Sequence, residues 1–242
     1  MSKRLQIYYN AVFGGMGGLL GWWTIGSLGA ERWNIWLASV VIGAGIGAGI
    51  GALVAAMEGT MIKRAVRRAL ADALKGAGAG ALGGLLGLML GQIGFLALGG
   101  GFIGRPLGWM LLGLLVGIGE YSVSRKLRRA SYGALGGLVG GFIGGLVYEG
   151  LTQLFINQSD EVQSWVGGFG LVLMGACIGA LIAFTRHALS RGELRVLNGQ
   201  REGTIREITD ATTLGSYDGC DVYLPDSAVA RQHAVVRRNH DG

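Results

Sequence analysis

Proline is almost missing from this chain, with two in 242 residues, and cysteine and histidine are nearly as rare, at two and three. With so little proline, long stretches can stay helical, because proline removes a backbone donor and clashes with the preceding turn. Cys177 and Cys220 cannot build a disulfide framework, and no Cys/His spacing fits a metal site. The chain also lacks a P-loop, a placed pair of carboxylates and a Ser/His/Asp set with supporting context. These absences point away from an enzyme and imply no cofactor. Charge is thin as well, at 15% of residues, and nearly vanishes from several runs of roughly 18 residues or more.

What fills those runs is glycine and aliphatic side chains. There are 48 glycines, and half of the residues are hydrophobic. About 20 apolar residues span the hydrocarbon core of a bilayer, so each run reads as a transmembrane helix. Six are expected: Ile7 to Gly29, Asn34 to Met57, Gly78 to Phe102, Pro106 to Tyr121, Ser131 to Phe155 and Trp165 to Thr185. Gly104-Arg105-Pro106 breaks the pattern before the short fourth span. Thr60 to Lys75 reads as a separate amphipathic helix, with Met61, Ile62, Ala65, Val66, Ala69 and Leu70 on one face and Lys63, Arg64, Arg67 and Arg68 on the other. Trp33, Trp36, Trp109 and Trp165 are expected at the non-cytoplasmic head-group zone.

Lys and Arg set the orientation, because cytoplasmic loops carry the excess. Lys3, Arg4, Lys63, Arg64, Arg67, Arg68, Lys75, Arg125, Lys126, Arg128, Arg129, Arg186 and Arg191 fall on one side, and only Arg32 and Arg105 on the other. Both termini are therefore expected in the cytoplasm of a multi-pass inner (plasma) membrane protein. The first helix has no evident cleavage site and reads as a span rather than a leader. The formal charge of +6 follows from topology and attraction to anionic lipid. Nucleic acid is not an expected partner, because the tail from Glu193 onward has six basic and eight acidic residues.

The membrane region, residues 1–190, reads as three repeated hairpins at about 7–68, 76–129 and 131–190. Phe13-Gly-Gly-Met-Gly-Gly18, Leu82-Gly-Gly-Leu-Leu-Gly87 and Leu135-Gly-Gly-Leu-Val-Gly140 open alike; Gly51 to Ala55, Gly113 to Gly117 and Gly179 to Ala183 close alike. Same-handed hairpins imply a pseudo-axis along the membrane normal. Glycines recur every four residues as zippers: Gly43, Gly47 and Gly51; Gly76, Gly80 and Gly84; Gly133, Gly137, Gly141 and Gly145. Small residues at that spacing let helix backbones touch in lipid. The partners are neighbouring repeats or, as a homo-oligomer, other copies of the chain. No ionisable residue is expected at the centre of any span. Glu58 and Glu120 sit at matching cytoplasmic ends, where ion pairing with nearby arginines accounts for them.

Residues 191–242 change character. Leu194 to Leu197, Thr204 to Ile208, Thr212 to Leu214, Asp221 to Leu224 and Ala234 to Arg238 read as strands, with Asn198-Gly199 and Asp218-Gly219 as turns, so an antiparallel β-sandwich is expected. Leu214-Gly215, Asp221-Val-Tyr-Leu224, Asp226 and Val229-Ala-Arg-Gln-His-Ala234 together resemble the first half of the forkhead-associated (FHA) domain. That resemblance implies phosphothreonine recognition, with Arg231 and the Ser216 position at the phosphate, and Gly215 and His233 bracing the loop. The pattern's arginine after Gly215 is Ser216 here, and its serine is Ala230, which shifts the expectation toward phosphate-independent docking. The family pattern continues beyond Asn239-His-Asp-Gly242, so a continuation is expected. The implied function is recruitment of a cytoplasmic protein partner, phosphorylated or not. The alternative is a membrane core that works as a channel, transporter or lipid-handling subunit with a regulatory tail.

Overall fold

A computed structural model describes residues 3–29, 33–57, 60, 66–97, 104–124, 127–190, 192–198, 202–203, 205–208, 211–217 and 219–237. Six helices come first: α1 Lys3–Leu28, α2 Ile35–Met57, α3 Val66–Ala97, α4 Gly104–Ser124, α5 Leu127–Leu154 and α6 Asp160–Leu189. Five short strands follow: β1 Glu193–Arg195, β2 Ile205–Glu207, β3 Ala211–Gly215, β4 Val222–Tyr223 and β5 Ala234–Arg237. Gly29, at φ 60°, ends α1 in the left-handed conformation that favours glycine. Pro106 stands in the first turn of α4, where its missing N–H costs no intrahelical bond. Asp160 and Glu161 open α6, and Arg186 and His187 close it, each set opposing the helix dipole.

Among the described residues, four helical segments are long and apolar enough to cross a membrane: Ile35–Met57, Ala69–Ala97, Ala130–Leu154 and Asp160–Leu189. The apolar part of α4, Gly104–Gly119, is shorter. The segment Val66 to Lys75 is not a separate interfacial helix but the first turns of α3, because nothing in it breaks the helix before Gly76. The preceding residues 61–65 of the expected amphipathic helix lie outside the described residues, as do Glu58, Arg32, Arg125, Lys126, Arg191 and the 238–242 ending.

Each helix packs on its neighbours in chain order, and α6 returns to α1, so the helices close a ring. The buried members of the core cluster lie on α2, α4 and α6: Ile46 and Ile50; Trp109, Leu112 and Val116; Leu171, Met174, Ile178 and Ile182. Those three helices form the inside, and α1, α3 and α5 fill the outer grooves. The outer helices are apolar on their free faces too, as at Leu82, Leu86, Leu90 and Ile93 of α3 and Leu135, Val139 and Ile143 of α5. So much contiguous exposed apolar surface suits hydrocarbon, not water.

The tail forms two small sheets. β1 and β2 pair antiparallel, and a three-stranded sheet runs in the order β4-β3-β5. β5 is antiparallel to β3, but β4 is parallel to it, pairing Leu214 with Val222 and Gly215 with Tyr223. The expectation of a wholly antiparallel tail is thus corrected. The chain from Ser216 to Asp221 crosses over instead of turning back as a hairpin, which strand periodicity cannot reveal. Gln6 of α1 donates from Nε2 to the Ile205 carbonyl at 3.4 Å and ties the tail to the helices.

Candidate functional site

The loop that carries Gly215, Ser216 and Arg231 is built from the ends of β3 and β5. Ser216 N–H donates to the Ala230 carbonyl at 3.0 Å, and Tyr217 N–H to the Arg231 carbonyl at 3.1 Å. Cys220 Sγ donates to the same Arg231 carbonyl at 3.3 Å. Gly215 makes this approach possible: a β-carbon there would stand 2.8 Å from the Arg231 carbonyl carbon and 3.0 Å from Gln232 Cα. With its carbonyl anchored, Arg231 lays its guanidinium over the Tyr217 ring, 5.5 Å from the centroid. Both side chains are exposed. Tyr217 has no place in the sequence pattern and is the contact that sequence reasoning missed.

His233 contributes its main chain, donating N–H to the Leu214 carbonyl at 2.8 Å. Its imidazole is exposed and makes no side-chain hydrogen bond among the described residues. Asp221 closes the crossover: its Oδ2 accepts from both N–H and Oγ1 of Thr213, each at 2.9 Å. The loop thus brings Gly215, Ser216 and Arg231 together and leaves the His233 imidazole exposed just before β5.

The glycine stripes meet one another across helix seams. A β-carbon at Gly43 would lie 2.7 Å from the Gly84 carbonyl carbon, one at Gly47 2.8 Å from that of Gly80, and one at Gly51 3.1 Å from that of Gly76. On the α4–α5 seam Gly117 faces Gly133, Gly113 faces Gly137, and Gly141 and Gly145 face Trp109. On the α6–α1 seam Gly175 faces Gly14, Gly179 faces Asn10, and Gly18 faces Leu171. At all of these points but Gly145, which takes the Trp109 ring, backbone meets backbone, so no side chain fits between.

Two buried polar residues within the helices, Asn10 and Glu149, were not singled out from the sequence, and Arg186 was read only as a cytoplasmic charge. Asn10, 1% exposed, donates from Nδ2 to the Gln6 carbonyl at 2.9 Å. Glu149, also 1% exposed, pairs with Arg105 at 3.4 Å, and Arg105 lies 4.4 Å above the Phe95 ring centre. Arg186 is buried and donates from Nε to the Ile182 carbonyl at 3.3 Å. A lone carboxylate inside an apolar run is a signal in itself, and Glu149 lies within the span expected at Ser131 to Phe155. Trp109 is not a lipid-facing indole: only 4% exposed, it packs inside the helix bundle with its ring 5.5 Å from that of Tyr148. Among the described residues no group of His, Cys, Asp and Glu is placed to hold a metal ion. No protein-family model, curated protein or solved structure matches the chain.

Proposed function

We propose that this is a multi-pass inner-membrane protein whose six helices all cross the bilayer as three hairpins, with both termini cytoplasmic, and whose FHA-like tail recruits a protein partner phosphorylated on threonine. The seams support the hairpin reading, because one register runs through all three: Gly43, Gly47 and Gly51 take the places of Trp109, Gly113 and Gly117 and of Leu171, Gly175 and Gly179. The same superposition brings Ile46, Leu112 and Met174 to one level and Ile50, Val116 and Ile178 to the next, all of them buried. A centre filled with apolar side chains favours this reading over a conduit.

The recruitment reading rests on one observation. Arg231 is exposed, fixed through its own carbonyl and stacked on Tyr217 at the loop that carries Ser216. A pre-placed guanidinium on the loop that also carries the Ser216 hydroxyl suits an oxyanion of charge near −2, which takes charge-assisted hydrogen bonds. The test is binding of a degenerate phosphothreonine peptide library and its unphosphorylated twin to the intact protein. The expected outcome is phosphate-dependent binding weakened about tenfold or more in Arg231→Ala, the loss of about 1.5–3 kcal/mol that a hydrogen bond to a charged group represents. Equal binding of the two libraries would overturn phosphate recognition and leave docking of an unmodified partner.

A further inference from the structure

Glu149 carries a demand that its own partners do not meet. Oε1 accepts from Arg105 Nη1 at 3.4 Å and from Gln153 Nε2 at 3.3 Å. Oε2, buried with it, has no hydrogen-bond partner among the described residues, and neither has Trp109 Nε1. The first is an acceptor and the second is only ever a donor.

Both belong to the α4–α5 seam. A β-carbon at Gly145 would lie 2.8 Å from Trp109 Cδ1, the carbon bonded to Nε1. Glu149 follows one turn later, about 6 Å further along α5. Helical side chains lean toward the N-terminus of their own helix. Glu149 on α5 therefore leans back toward the level of Trp109, and Arg105 on the antiparallel α4 leans out toward Glu149. Two hydrogen bonds meeting at the roughly tetrahedral angle of one oxygen bridge about 4.5–5 Å, within reach of side chains that set out one helical turn apart and lean toward each other.

The chemistry selects what fits between. An ammonium only donates, so it leaves the indole unmet; a phosphate or carboxylate oxygen only accepts, so it leaves Oε2 unmet. A proton on Glu149 does nothing for Nε1. A hydroxyl donates to one and accepts from the other. We propose that the outer end of the α4–α5 seam is a binding site for a single hydroxyl group, held between Glu149 Oε2 and Trp109 Nε1, with Arg105 positioning the carboxylate. In the seam register the matching residues are Ser39 with Gln92 and Gly167 with Gly26, so this charged corner exists on one seam of three. The hydroxyl comes from water or from the glycerol head group of a lipid.

The test is a density map, fine enough to resolve single waters, of the intact protein in two preparations: lipid-free detergent, and nanodiscs of phosphatidylglycerol. A peak within about 3.2 Å of both atoms is expected. An isolated peak in both preparations identifies water, and one that continues into lipid density in the nanodisc identifies the alcohol. A map without a shared peak, or with indole and carboxylate in direct contact, overturns the proposal. A double-mutant cycle of Trp109→Phe and Glu149→Leu, read as unfolding equilibrium, is expected to show coupling of about fivefold. Glu149→Gln replaces the leucine variant if that one does not fold. Additivity within about twofold would overturn the shared site.

Discussion

At the scale of single residues, glycine here acts by what it leaves out. Gly47 and Gly78 are both helical, yet a β-carbon at Gly47 would press on the Gly80 carbonyl, while one at Gly78 would meet nothing within 4 Å. Gly47→Ala is expected to destabilise the protein by about 1–3 kcal/mol, because backbone on both sides of the seam cannot yield as a side chain would. Gly78→Ala is expected to be neutral or stabilising by up to about 1 kcal/mol, since it gains helix propensity at no steric cost. Denaturant unfolding of the two variants in one detergent checks the contrast, and equal effects would contradict the seam. The four-residue spacing of Gly43, Gly47 and Gly51 was legible in the sequence because it is a backbone periodicity. Its register was not. Matching motifs aligns Gly14 with Gly83 and Gly136, whereas the seams superpose Gly14 with Gly80 and Gly137. Adjacent glycines, and glycines spaced three and four apart, let an alignment slip by one residue at Gly136 or by a turn at Gly83 without losing a match. Glu149 and Arg105 were equally hard to pair from sequence, since a contact between helices has no local spacing.

At the scale of elements, hydropathy marked where helices are apolar, not where they stop. α3 begins at Val66, well before the apolar run at Gly78, because Arg67, Arg68 and Lys75 are good helix formers and only lipid would exclude them. The strands were legible to within a residue or two, since alternation and turn residues are local. The parallel pairing of β4 with β3 was not, because direction depends on how residues 216–221 cross. That crossing hangs on Asp221, whose carboxylate takes the N–H and hydroxyl of Thr213, while the ladder beside it is only two pairs long. Asp221→Ala strands a part-buried donor, and a loss of about 1–3 kcal/mol in local stability of the tail is expected. Hydrogen exchange reads this directly. The Thr213 and Leu214 amides should exchange faster while the α2–α3 seam keeps its protection; unchanged tail exchange would show that Asp221 is not the clasp.

At the scale of the whole molecule, a ring of six helices with an apolar outside and an apolar centre has one natural solvent, and the tail of mixed charge has another. That division was legible from composition alone. The number of crossings was less so, because α1 carries Gln6 and Asn10 among its glycines and the apolar part of α4 is short, so only packing against apolar neighbours argues that these two cross with the rest. Labelling from one side of the membrane tests this. In a Cys177→Ala, Cys220→Ala background, single cysteines at Asn34, Ser159 and Ser190 are exposed to a membrane-impermeant maleimide in intact cells and again after permeabilisation. Six crossings with a cytoplasmic tail predict that Asn34→Cys and Ser159→Cys react in intact cells and Ser190→Cys only after permeabilisation. Reaction of Ser190→Cys in intact cells, or Asn34→Cys and Ser159→Cys on opposite sides, would contradict the account.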